Sequence, residues 1–369
     1  MHAGLLIYGS LEKISGGYLY DRKLVEYLQS QGDQVEVVSL AYRNYFRHLL
    51  DNLSQPLLRH LEKLPIDLLL QDELNHPSLF WLNRRLGGCV SYPIIAIVHH
   101  LRSSEIHPAW QKRFYRRIER LYLASVDGFI YNSETTHQAV TELLGPAARN
   151  LAPGVVAYPA GNRLNPQTSE QEIRQRVQQP GPLRLLFLGN LIARKGLHTL
   201  LEALQRVSGA GQAADWKLTV IGSLQVDPSY SRAMRQQAAR NGLEGRVSFL
   251  GALDNNQLAQ EMRASHLLVV PSSYEGFGIV YLEGMGFGLP AIASTGGAAG
   301  EIITNGQNGY LIEPDDVAGL AEKLLELARN RQLLLPMSLA AWKHFKSQPG
   351  WDKSMSQAHL FLQQVIKES

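Results

Sequence analysis

Short apolar runs alternate with stretches of helical length along nearly the whole chain, and this alternation restricts the fold more than any other feature. Residues 5–8, 35–40, 67–70, 94–99 and 128–131 read as strands. Helix-like stretches lie between them, such as 18–31, which Gly32 is placed to end. A β-α-β-α order implies parallel strands with helices on both faces. The pattern weakens over residues 162–181, rich in Asn, Gln, Ser and Pro, then restarts at 183–189 and continues through strand-like runs at 217–221, 247–250, 267–270 and 291–293. The fold expected is therefore α/β, with two doubly wound parallel-sheet (Rossmann-like) domains facing a cleft, the first spanning 1–165 and the second 166–350. A chain of 369 residues is long enough for two such domains. In the tail, Met355, Leu360, Leu362 and Ile366 fall at helical spacing after the breaker Gln348-Pro349-Gly350.

Composition sets wider bounds. Hydrophobic residues at 45% and charged residues at 19% suit a globular protein, and a net charge of +3 gives no reason to expect nucleic acid. The single cysteine, Cys89, permits no internal disulfide and fits a reducing compartment. The apolar run at 4–8 is too short for a signal peptide, and no run approaches the roughly 18–20 residues that cross a bilayer. A cytoplasmic location is expected, with contact at the inner membrane surface left open.

Two glutamates eight positions apart, Glu275 and Glu283, bracket Gly276-Phe277-Gly278-Ile279. A buried strand is expected before this run and a helix over 279–287 after it. Glycines at the junction let backbone turn sharply and approach a ligand closely. Free N–H groups at a helix start attract phosphate, while carboxylates accept hydrogen bonds from paired sugar hydroxyls. A nucleotide sugar carries both chemistries. Upstream, Gly189-Asn190-Leu191-Ile192-Ala193-Arg194-Lys195-Gly196 follows a strand and opens a helix. Adjacent Arg194 and Lys195 there form a cationic hook suited to a pyrophosphate, on which negative charge builds as a sugar leaves. Each feature also has a plainer reading, as a turn with surface charges.

The stretch 275–283, followed by Gly288-Leu289-Pro290-Ala291-Ile292-Ala293, resembles the E-x7-E signature of retaining glycosyltransferases of family 4, which have the GT-B fold and include sucrose-phosphate synthase and bacterial lipid mannosyltransferases. The resemblance extends more weakly over nearly the whole chain. It implies that Glu283 binds the nucleotide ribose and that Glu275 orients the donor sugar. Lys195, Arg194 and the backbone at Gly278 would hold the leaving diphosphate, with Gly276, Phe277, Ile279, Gly189 and Asn190 around the donor. Asn190 stands where the family usually has Arg, which puts more weight on Lys195. The paired Gly16-Gly17 after Ser15 would lie near the phosphates and acceptor, and His99 near the transferred sugar. His100 replaces a residue that is often Asp. Ser294-Thr295-Gly296-Gly297 and Glu301 match a donor-lining region. The last helix of the resembled enzymes crosses back to the first domain.

No third ligand is visible in sequence near His99 or His100, so neither is read as a metal ligand. No P-loop, dinucleotide fingerprint, nucleophile elbow or Asp-x-Asp motif occurs. Lys112, Arg113, Arg116, Arg117 and Arg120 share one expected helix face, with Phe114, Ile118, Leu121 and Tyr122 on the other. Such a helix either docks on anionic lipid headgroups or is simply a solvated basic face. No nucleic-acid-binding motif accompanies these charges.

The resemblance thus implies a metal-independent retaining glycosyltransferase that moves a sugar from a nucleoside-diphosphate sugar to an acceptor hydroxyl, with no cofactor beyond its donor. The acceptor is not readable. The competing readings are a sugar-nucleotide epimerase of the same fold and a non-catalytic sugar-nucleotide-binding protein.

Overall fold

The computed structural model describes residues 1–145, 152–209 and 215–368. The chain divides into two compact units, broken between Pro159 and Ala160, and the last helix, Trp351–Glu368, belongs with the first unit.

The first unit holds a parallel sheet of β1 (His2–Tyr8), β2 (Gln34–Leu40), β3 (Leu68–Asp72), β4 (Ile94–Val98), β5 (Gly128–Tyr131) and β6 (Gly154–Val156), in the order β2-β1-β3-β4-β5-β6. Its central strands are apolar at almost every position because helices cover both faces. Leu5, Leu6, Ile7, Leu68, Leu69, Leu70, Ile95 and Ile97 are wholly buried, each worth about 1.5–3 kcal/mol of apolar transfer. The chain proceeds from β1 outward to β2 and then reverses to β3, so the loops after β1 and β3 flank a topological switch point, where open α/β sheets bind ligands.

Helix Gly16–Ser30 follows β1. The Ser15 side chain caps it, accepting from the Tyr18 amide at 3.3 Å. On this helix lies Trp351–Glu368. Tyr20 meets Trp351 edge-on with ring centroids 6.0 Å apart, Tyr27 meets His359 in the same way, and His359 Nε2 lies 2.9 Å from Asp33 Oδ2.

The second unit repeats the architecture with β7 (Leu183–Leu188), β8 (Trp216–Ile221), β9 (Val247–Gly251), β10 (Leu267–Val270), β11 (Ala291–Ser294) and β12 (Gly309–Ile312), all parallel, in the order β12-β11-β10-β7-β8-β9. Here the switch point lies between β7 and β10. Residues just after the unit boundary pack into this unit for a steric reason. A Cβ on Gly161 would stand 2.6 Å from the Leu282 carbonyl carbon, so only glycine lets that segment lie against helix Ile279–Gly286. This is why the boundary falls before 160 rather than at 165, where the composition shift pointed.

Two strands are absent from the sequence reading, β6 and β12. Both sit at sheet edges, and neither is a run of consecutive buried apolar side chains. The strand read at 67–70 runs instead from Leu68 through the buried polar pair Gln71-Asp72.

Candidate active site

At the second switch point the loops after β7 and β10 bring Lys195 and Glu275 together. Glu275 is 6% exposed. One of its oxygens, Oε1, accepts from both Lys195 Nζ and Ser272 Oγ, the latter at 2.6 Å. Arg194 Nη1 donates to the Tyr274 carbonyl at 2.6 Å and stands 3.8 Å from Glu275 Oε2. Burial alone would raise the Glu275 pKa. Lys195, Arg194 and the two hydrogen bonds outweigh it and hold the carboxyl down at about 2. Burial also pushes the Lys195 ammonium below its ordinary value, against the pull of Glu275. Glu275 is therefore a carboxylate at neutral pH.

Glycines permit this close assembly. Gly196 has φ +74° and a Cβ there would stand 2.1 Å from the Pro271 carbonyl oxygen. Gly297 has φ +91°, with the Glu275 carbonyl oxygen 2.0 Å from where its Cβ would be. The Glu275 amide donates to Gly296 and the Ala298 amide to Glu275, so the segment at 275 is stitched to the loop after β11. Gly189 lies beneath the Lys195 stem, and Gly278 (φ +97°) enters helix Ile279–Gly286 with no side chain capping its start. Asn190 belongs to the same turn, its carbonyl accepting from the Ile192 amide. Phe277 and Ile279 are buried beside that helix start, with Gly276 just before it. Glu301 ends the short turn Ala298–Glu301 beyond Gly297.

Glu283 is 2% exposed and accepts from Arg163 Nε at 2.7 Å, while Arg163 Nη1 donates to Asn255 at 3.0 Å. Sequence reasoning missed Arg163, which lies in the stretch read as a linker. A cation facing one of the paired glutamates is the signal it lacked.

At the first switch point Gly17 and His99 are neighbours. A Cβ on Gly17 would meet His99 Cδ2 at 3.1 Å. Gly16 begins the helix one residue earlier. His99 is buried, its Nε2 lies 3.0 Å from Asp21 Oδ1, and its carbonyl accepts from Asn132 Nδ2 at 2.7 Å. Asp72 is beside them, so Asp21, Asp72 and His99 bring polar atoms within 4.8 Å of one another; a second buried trio, Glu73, His76 and Glu119, does the same. Sequence showed no third potential ligand near His99, whereas the structure sets two carboxylates beside it. They arrive from positions 21 and 72, far apart in sequence. The shared edge of the first trio is taken by the His99–Asp21 hydrogen bond, so it reads as a proton-bound cluster. Burial would lower the His99 pKa, but Asp21, with Asp72 and Glu73, carries it up to about 9. Burial next to Asp21 drives the Asp72 carboxyl well above the carboxylate range. A signal for Asp21 was present, since it lies four residues after Gly17 on one helix and hence on the same face. His100 turns instead to Glu105, at 2.9 Å.

On helix Ala109–Leu123, Lys112, Arg113, Arg116, Arg117 and Arg120 are exposed, as the spacing predicts. The buried side is Tyr115, Ile118, Glu119, Tyr122 and Leu123, while Phe114 and Leu121 are only half-buried. Arg84, Arg116, Arg117 and Arg120 line a shallow hollow of about 460 Å³.

Two family models cover most of this chain. "Glycosyl transferases group 1" matches residues 169–343, and "Glycosyl transferase 4-like domain" matches 26–153. A glycogen synthase of Mycobacterium tuberculosis is 28% identical over 261 residues, 67% of this chain and 56% of that protein. A GDP-mannose-dependent phosphatidylinositol monomannoside mannosyltransferase of the same species is 27% identical over 250 residues, 64% of this chain and 61% of its own length. The chain thus matches a little over half the length of these relatives. Among solved structures, sucrose-phosphate synthase from Thermosynechococcus elongatus superposes with a TM-score of 0.81 at 20% identity, covering 100% of both chains. An Anabaena protein solved in complex with UDP-glucose gives 0.77 at 20% identity, covering 99% of this chain and 100% of that one. These structural likenesses show the fold. The chain belongs to the family-4 glycosyltransferases of the GT-B fold.

Proposed function

We propose that the protein is a retaining glycosyltransferase that takes a nucleoside-diphosphate sugar and passes the sugar to an acceptor hydroxyl. The observation that carries this reading is the meeting of Lys195 and Glu275 at the β7/β10 switch point, beside a helix start that no side chain caps. Lys195, Arg194 and the amides from Gly278 onward supply positive charge where a departing diphosphate gathers negative charge, so the donor needs no metal to leave. In the unliganded chain Glu275 neutralises Lys195. A bound diphosphate takes over that partner and frees Glu275 to orient the sugar. Glu283, held by Arg163, offers its carboxylate to the ribose hydroxyls. In the first unit, His99 stands where the resembled enzymes have a histidine near the transferred sugar. No side chain is assigned as nucleophile. Retention rests on the resemblance at Glu275 and Glu283.

Known properties of the structural relatives support a nucleotide-sugar donor, since the Anabaena protein was solved with UDP-glucose. The exposed arginine hollow on the first unit supports a further contact with an anionic surface.

The test is thermal stabilisation by a panel of nucleoside diphosphates and their sugars, in wild type and Lys195→Ala. A ligand at 100 times its dissociation constant stabilises by about 2.7 kcal/mol. The expected result is a shift with one nucleotide that shrinks in the mutant. No shift with any of them removes the donor assignment. Release of an altered free sugar without an acceptor would replace transfer by epimerisation, and binding without turnover on any acceptor would leave a sugar-nucleotide-binding protein.

A further inference from the structure

We propose that Glu73, His76 and Glu119 form a buried structural site for one divalent cation, of the zinc class, in the first unit. The ion fastens the turn after β3 to helix Ala109–Leu123 and takes no part in the departure of the donor.

Three elements supply the donors. Glu73 opens the turn Glu73–Asn75, His76 begins helix His76–Leu79, and Glu119 comes from helix Ala109–Leu123. All three are at most 2% exposed, and their ligand atoms lie within 4.8 Å of one another. His76 Nδ1 stands 2.9 Å from the Glu73 carbonyl oxygen and 3.2 Å from Glu73 Oε1. Because Nδ1 faces two acceptors, a proton or a metal must lie between. Tyr45 Oη stands 3.0 Å from Nε2, where it can accept the Nε2 proton and leave the Nδ1 lone pair for a metal. Neighbouring ligands on a tetrahedral ion with bonds of about 2.0–2.1 Å lie roughly 3.3 Å apart, close to the 3.2 Å between Nδ1 and Oε1.

Charge and hydrogen bonding decide between proton and metal. A proton on Nδ1 satisfies His76 alone. Both Glu73 carboxylate oxygens and Glu119 Oε2 are buried with no hydrogen-bond partner, while Glu119 Oε1 accepts from the Ser103 amide at 3.1 Å. Tyr122 lies three residues after Glu119 on the same helix face. It is wholly buried, its hydroxyl has no partner either, and the nearby Glu73 carboxylate adds to burial in raising its pKa. Buried oxygens gathered in this way call for a cation. Arg102 lies over the Tyr45 and Tyr115 rings, and among the described residues neither Glu73 nor Glu119 is ion-paired to a Lys or Arg. Two carboxylates with one imidazolium keep a net negative charge away from water, whereas two carboxylates, a neutral imidazole and a divalent ion keep none. Nδ1, both Glu73 oxygens and Glu119 Oε2 supply the four nitrogen and oxygen donors that zinc takes, in the closed setting of a structural site.

The experiment strips the untagged protein with a chelator, restores Zn²⁺ or Mn²⁺, and follows bound metal by elemental analysis and melting temperature, in wild type, Glu119→Gln and Asp21→Asn. Stripped wild type is expected to take up about one equivalent of Zn²⁺ and, with the ion at 100 times its dissociation constant, to gain about 5 °C or more. Glu119→Gln keeps the shape of the side chain but not its charge. It should still melt cooperatively yet bind Zn²⁺ roughly 100-fold more weakly, losing the gain at the same ion concentration. Asp21→Asn alters only the neighbouring trio and should keep the gain. Wild type that takes up neither ion and shows no gain overturns the proposal without any variant. A gain that Glu119→Gln retains, or that Asp21→Asn loses, puts the ion elsewhere and overturns it too.

Discussion

The two units set charge at the same topological place by opposite means. In the second, Lys195 and Glu275 balance each other within a frame of glycines whose missing side chains let three loops close to contact distance. In the first, acids outnumber cations around His99. The cluster is walled by aromatic rings, and protons rather than partner side chains settle its charge. A balanced pair can be opened by a ligand that competes for one member, which suits an anionic diphosphate. The acid-rich pocket of the first unit instead holds its charge internally, through the His99–Asp21 contact. The lesson is that a shared sheet topology fixes where a site lies, while local composition decides which charge it presents.

This contrast can be broken most directly at Lys195. Its replacement by Ala is expected to lower turnover by about 10²–10³-fold, the size of loss seen when one preorganised charge stabiliser is removed. Turnover within a few-fold of wild type, measured with the nucleotide sugar that the panel identifies, would move the chemistry away from the second switch point.

The next effect is on stability in acid. Because the Glu275 pKa is about 2 when folded and about 4.5 when not, its ionic partners stabilise the fold fully above 4.5, and that contribution drains away as pH falls towards 2. Urea unfolding of wild type and Glu275→Gln should therefore differ most near neutrality and converge towards pH 2. A gap independent of pH would mean the carboxylate is not held as a balanced pair.

The smallest effect concerns the basic face of the first unit. Arg116→Gln is expected to weaken sedimentation with vesicles containing anionic lipid by roughly fivefold, about 1 kcal/mol for one charge near such a surface. Unchanged sedimentation would leave that face as a solvated one.

Much of the second site could be read from sequence because its parts are local. Glu275, Gly278 and Glu283 share one strand-turn-helix, and Arg194, Lys195 and Gly196 share another. What spacing could not give was the partner of each. The Lys195–Glu275 contact spans the switch point, and the Arg163–Glu283 contact reaches from the unit boundary into helix Ile279–Gly286. The first site was almost hidden. His99 stood out only as the end of a strand, because Asp21 and Asp72 look like ordinary polar residues until parallel pairing sets β1, β3 and β4 side by side. The short edge strands β6 and β12 escaped for a related reason, since half-exposed edges do not need the apolar runs that mark central strands.

The placement of Trp351–Glu368 on helix Gly16–Ser30 also orders events during synthesis. The second unit is contiguous in sequence and emerges from the ribosome with all its parts. The first waits for residues made after the second unit, so until then the side chains of Tyr20 and Tyr27, and the carboxylate of Asp33, lack their later neighbours. A chain that must hold its first unit open until Trp351–Glu368 appears is exposed for longest there, and there chaperone engagement and premature cleavage should concentrate.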